Sequence, residues 1–106
     1  MGLIDEVASR FPQRHRYVLG SQLREEALNT LRLIRLANDR KNRAEKLLEL
    51  EERIAEIKLL CNVGKEIKVF GSFEQYMLVM EQVMDLVRQV RGWQRSVSGT
   101  TRTTKS

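Results

Sequence analysis

The chain has 106 residues, 42% of them apolar and 31% charged, and a formal net charge of +5. That length suits one domain around one core, and the balance excludes both a disordered chain and a membrane span. Its apolar runs are only a few residues long, against the roughly 20 needed to span a bilayer. No apolar stretch of signal-peptide type follows the acidic start at residues 1–6. Cys61 is the only cysteine, so an intrachain disulfide is excluded and a reducing, cytoplasmic setting is expected. One proline and six glycines are too few for a strand-and-turn architecture.

In chain order, residues 2–10 form a short amphipathic segment with Leu3, Val7 and Ala8 on one face. Pro12 breaks the chain after it, because the residue before proline avoids the helical region, and Phe11 is an apolar plug at that corner. A second helix is expected over residues 14–38. Leu23, Ala27, Leu31 (or Thr30), Ile34 and Ala37 share one side of it. Val18, Leu19, Leu28, Leu33 and Leu36 widen that stripe towards a second neighbour. Gly20 inside this helix costs about 1 kcal/mol against alanine, which a close helix–helix approach would explain.

Residues 38–42 are a polar turn, and Asn42 with Glu45 carries the start signal of a third helix running to about Phe70. Leu47, Leu50, Ile54, Ile57, Cys61 and Gly64 follow a heptad-like rhythm. Glu49, Glu52, Arg53 and Glu56 form the solvated side. Gly71 is a stop signal suited to the left-handed conformation, and Ser72 with Gln75 is a capping box for the last helix. Phe73, Tyr76, Met77, Met80, Val83, Met84, Val87 and Val90 make its expected buried stripe, and Trp93 ends it. Residues 96–106 are a basic Ser/Thr-rich tail without apolar rhythm, expected to be flexible. The expected fold is therefore all-α, an up-down four-helix bundle over residues 1–95. The short first helix cannot cover the other three, which points to self-association.

Catalysis has little to stand on. His15 is the only histidine and lies between Arg14 and Arg16; no nucleophile turn, phosphate-cradling loop or Glu-x-x-His pair is present. A lone histidine and a lone cysteine cannot form a zinc site in one chain. No catalytic residue, metal ligand, cofactor or small-molecule substrate is assigned. The basic excess, in contrast, is localised. Residues 7–24 hold four arginines and no acid, and residues 86–106 hold five basic residues and no acid. Arg88, Arg91 and Arg95 recur at three and four and project from one helical face; Arg14, Arg16 and Arg24 do so less regularly. Such clusters suit a polyanion such as RNA or DNA. The plainer alternative is solubility and subunit pairing in a protein–protein scaffold.

The segment Phe11-Pro12-Gln13-Arg14-His15-Arg16-Tyr17-Val18-Leu19-Gly20 resembles the helix 1–2 corner of the accessory variability determinant (Avd) proteins of diversity-generating retroelements. These belong to a wider four-helix-bundle family that includes proteins encoded in intervening sequences of 23S rRNA genes. Val90-Arg91-Gly92-Trp93 resembles that family's closing Gly-Trp, and the resemblance extends over residues 11–95. One difference is that only ten residues precede Phe11, where family members carry a longer first helix. The resemblance implies a non-catalytic protein that forms a basic, barrel-like homopentamer. It implies binding to the element's reverse transcriptase and to nucleic acid, in support of error-prone copying of a template RNA. Arg14 and Arg16 then fall at the motif's basic positions, Arg91 and Arg95 flank its tryptophan, and Phe11, Pro12, Leu19, Gly20 and Trp93 serve the fold.

Overall fold

Pro12 parts the first two helices, its backbone extended at φ −50° and ψ 142° as the ring demands. The computed structural model describes residues 2–105, with side chains described for residues 2–97. Helix α1 is Gly2–Ser9. Helix α2 opens with one α-turn (Gln13–His15), passes through a π-helical segment (Arg16–Gly20) and continues as Ser21–Ala37. A single 3₁₀ turn, Arg40–Asn42, leads to α3 (Arg43–Glu66), and α4 is Phe73–Lys105. Every regular element among the described residues is helical, as the sequence pattern requires.

The helices run up and down in a rod of 55 × 21 × 18 Å. Helix α3 lies between α2 and α4, and α1 packs on the first half of α2 while touching α4. Asp5 pairs with Arg24 at 3.8 Å, and the Ala8 carbonyl lies 3.3 Å from where a β-carbon on Gly20 would sit. The close approach expected at Gly20 is therefore made by α1. The backbone there is π-helical: the Ser21 N–H reaches back to the Arg16 carbonyl, and the extra residue in the turn leaves Tyr17 and Val18 exposed while Leu19 and Gly20 are buried.

The core follows the heptad expected for α3, with Leu47, Leu50, Ile54, Ile57, Cys61 and Gly64 all buried. On α2 the buried position is Thr30, not Leu31. Its hydroxyl is satisfied by donating to the Glu26 carbonyl at 2.8 Å, one turn back. Arg53 leaves the solvated side expected for it and reaches Glu26 across the α2–α3 seam at 3.3 Å. On α4 the buried set is Tyr76, Val79, Val83, Val87 and Val90. Phe73 and Met77, expected inside, are 66% and 49% exposed. The face is rotated because Tyr76 is fixed from α3: its hydroxyl donates to Asn62 Oδ1 at 2.7 Å, and Lys65 sits over its ring.

The aromatic corner holds one end of the rod. Phe11 is buried and meets Phe70 edge-on at 5.4 Å, and Phe70 meets Tyr76 edge-on at 5.5 Å. Helix α3 stops at Glu66, short of the expected Phe70. The residue in the left-handed region is Lys68 (φ 59°), and Gly71 has no positive φ. Lys68 N–H donates to the Lys65 carbonyl and Val69 N–H to the Gly64 carbonyl, the paired bonds of a Schellman stop. The stop falls at Lys68 because Gly64, lacking a side chain, leaves room for Val69 to fold back. Gly71 instead donates its N–H to Gln75 Oε1 while Ser72 Oγ accepts from Gln75 N, so the expected capping box opens α4 with its return bond shifted by one residue.

At the opposite turn, Asn42 occupies the cap of α3 without a side-chain bond. Asp39 instead accepts from Lys41 N at 3.1 Å and shapes the turn. Helix α4 does not end at Trp93. Val97, four residues on, packs against the core, so the amphipathic rhythm carries the helix past it. The tail expected at residues 96–106 thus begins inside α4, and the side chains beyond Val97 lie outside the described residues.

Replacing Lys68 with glycine relieves a left-handed side chain and is expected to raise the unfolding free energy by about 0.5–1 kcal/mol. Urea denaturation measures this, and a loss of stability in Lys68→Gly would contradict the assignment of the stop.

Candidate nucleic-acid interface

The exposed arginines of α4 sit on the face that Phe73 and Met77 begin. Spacings of four, seven, four, three and four from Phe73 carry that face through Met77 and Met84 to Arg88, Arg91 and Arg95. It is apolar at its start and basic towards its end. Arg88 pairs with Asp85 one turn back; both side chains are exposed, so the pair is easily exchanged for another anion. Arg95 is exposed.

Arg91 is placed differently. It lines a cleft of about 150 Å³ at the α3–α4 seam, with Ile54, Ala55, Val87 and Val90 as floor and Glu51, Lys58 and Gln94 at its rim. Gln94 Nε2 donates to Glu51 Oε2 at 2.8 Å across the same seam. Two cations from two helices therefore share an apolar cleft with one carboxylate.

Trp93, on the other side of α4, is half-buried. The Arg43 guanidinium lies 5.4 Å from its ring centroid. Arg43 also donates from Nε to the Ala37 carbonyl at 2.8 Å and from Nη2 to the Asn38 carbonyl at 3.1 Å. One side chain thus closes the carbonyl end of α2 and joins the α2–α3 turn to α4. Sequence reasoning missed Arg43. Its only signal is a cation on the first residue after a helix–turn junction.

The second basic cluster lies at the other end of the rod, beside the aromatic corner. Arg14 and Arg16 are exposed, and Arg16 Nε donates to the Phe11 carbonyl at 3.3 Å. Arg24 is engaged by Asp5. Phe11, Leu19 and Gly20 are buried at this end and Pro12 is exposed. Because α2 and α4 run in the same direction, the structure brings Arg88, Arg91 and Arg95 together but not with Arg14 and Arg16. From Phe73 to Arg91 the helix rises about 27 Å.

Cys61 is fully buried, and burial pushes its thiol up to about 12, so it stays protonated at neutral pH. Among the described residues no group of three or more His, Cys, Asp or Glu side chains could hold a metal ion, and no helix is long and apolar enough to cross a membrane.

These features define a class: a helical bundle whose outward chemistry is carried by arginine clusters at its two ends. The bAvd-like family model matches residues 2–97, and the chain belongs to that family. Avd-like proteins are accessory, non-catalytic proteins. No curated protein and no solved structure matches the chain.

Removing the Arg43 side chain leaves two carbonyls without their donor and Trp93 without its cation. Arg43→Ala is expected to lower stability by about 2 kcal/mol, while Arg95→Ala stays within about 0.5 kcal/mol. Thermal or urea unfolding of the two variants checks this; equal effects would contradict the role given to Arg43.

Proposed function

We propose that this protein is an accessory factor of a diversity-generating retroelement, binding nucleic acid and the element's reverse transcriptase to support mutagenic copying of a template RNA. Membership of the bAvd-like family supports the accessory role. The observation that carries the nucleic-acid part is the row Arg88, Arg91 and Arg95. It stands on one accessible face of α4, in a segment from residue 86 onward that holds no acid. Guanidinium groups at helical spacing suit successive phosphates, and neutralising these releases counterions, so binding gains strength as salt falls.

The assembly proposed is a homo-oligomer, a pentamer by family resemblance. Two features support it: apolar side chains left open on α2 and α3, and basic clusters too far apart in one protomer to form a continuous track. In the oligomer, the Arg14–Arg16 end of one copy continues the Arg88–Arg95 end of others. The cytoplasm is the proposed setting, where both the template and the polymerase are found.

A second reading, a protein–protein scaffold without nucleic-acid binding, is favoured by one observation: Leu28, Leu31, Leu36, Leu48 and Leu59 are all about half exposed or more. The two readings part on salt. With the Arg88→Ala, Arg91→Ala, Arg95→Ala triple variant, the slope of log K against log salt for RNA is expected to fall by about 2–3, since each phosphate contact contributes roughly 0.7–0.9. An unchanged slope, or no binding by the parent protein at moderate salt, would favour the scaffold.

A further inference from the structure

We infer that the cleft at the α3–α4 seam is a receptor for one unstacked pyrimidine base of a single nucleic-acid strand. The inference rests on the nucleic-acid reading above and adds to it a site for the base. The cleft's volume of about 150 Å³ sets the size of its occupant. An enclosed apolar cavity of about that volume takes up one benzene molecule, which matches the size of a single six-membered ring. Its floor is aliphatic, from Ile54, Ala55, Val87 and Val90, which suits the faces of a planar ring.

The rim argues for a base over the ring of a phenylalanine. Lys58 and Arg91 carry only donors, whereas the Glu51 carboxylate carries only acceptors. A pyrimidine presents acceptors to the first pair (O2, with O4 of uracil or N3 of cytosine) and an N–H to the carboxylate (N3–H of uracil or the amino group of cytosine). A hydrocarbon ring would make no use of the two cations or of the carboxylate oxygen left over from the Gln94–Glu51 bond. Charge points the same way: Arg91 belongs both to this cleft and to the row with Arg88 and Arg95, so a strand whose phosphates follow the row passes the mouth of the cleft. The consequence is a preference for single strands, because a paired base cannot leave its stack without cost.

The test uses the full chain with three fluorescent probes: an eight-nucleotide oligouridine, the same strand with abasic positions, and its duplex with oligoadenosine. Ala55 is exposed on α3, so Ala55→Trp fills the cleft without touching the core, and a thermal melt verifies its folding. The wild-type protein is expected to bind oligouridine about ten-fold more tightly than the abasic strand, and Ala55→Trp to lose that margin. Duplex affinity and the salt slope are expected to stay as in wild type, since the arginine row is intact. If oligouridine and the abasic strand bind alike, or Ala55→Trp leaves the margin in place, the base site is overturned and the cleft is left to an aromatic side chain of a protein partner. In that case nucleic-acid binding itself still stands. Failure of the wild-type protein to bind any probe would overturn both readings.

Discussion

A β-carbon at Gly64 would lie 3.0 Å from Val69 Cγ2, 3.1 Å from Phe70 Cε2 and 3.3 Å from Leu19 Cδ2. Only a residue without a side chain lets these three converge. Leu19 brings α2, Val69 and Phe70 bring the α3–α4 connection, and Phe70 in turn is held between Phe11 and Tyr76. Alanine would improve the helix by about 1 kcal/mol, but overpacking of a buried contact costs about 1–3 kcal/mol. Edge-on contacts with Phe11 and Tyr76 limit how far the Phe70 ring can give way. This corner fixes the direction of every helix, and so sends Arg14 and Arg16 to one end of the rod and the α4 arginines towards the other.

From this corner follows what could and could not be read in the sequence. The heptad from Leu47 to Gly64 was legible because α3 packs on two neighbours with a single continuous stripe. The face of α4 was not. Valines and methionines surround it so widely that their spacing admits two settings, and the choice is made by Asn62 and Lys65 gripping Tyr76 from α3. The same holds for the stop of α3: Gly71 carries the local signal, yet the chain leaves the helix at Lys68 because Gly64 makes room there. Of the candidate site, the spacing of Arg88, Arg91 and Arg95 was plain. The placing of Lys58 and Glu51 beside Arg91 was not, since it depends on how the connection at residues 67–72 sets α3 against α4.

Helix α1 has eight residues and a length of about 12 Å, and its position is fixed by Ala8 against Gly20 and Asp5 beside Arg24. It therefore covers only the first part of α2. Leu28 and Leu31 continue the Arg24 face at intervals of four and three and remain about half exposed. Two shortfalls thus coincide in one protomer: apolar surface without a cover, and basic clusters without continuity. Assembly of copies would remedy both, and the proposed function depends on it.

Sedimentation equilibrium at micromolar concentration measures that dependence directly. The wild-type chain is expected to sediment as a multiple of its 12.4 kDa protomer, five-fold on the family's pattern, and the Leu28→Glu, Leu31→Glu variant to fall towards the protomer mass while keeping its helical signal. A wild-type protein that stays at 12.4 kDa would contradict the account.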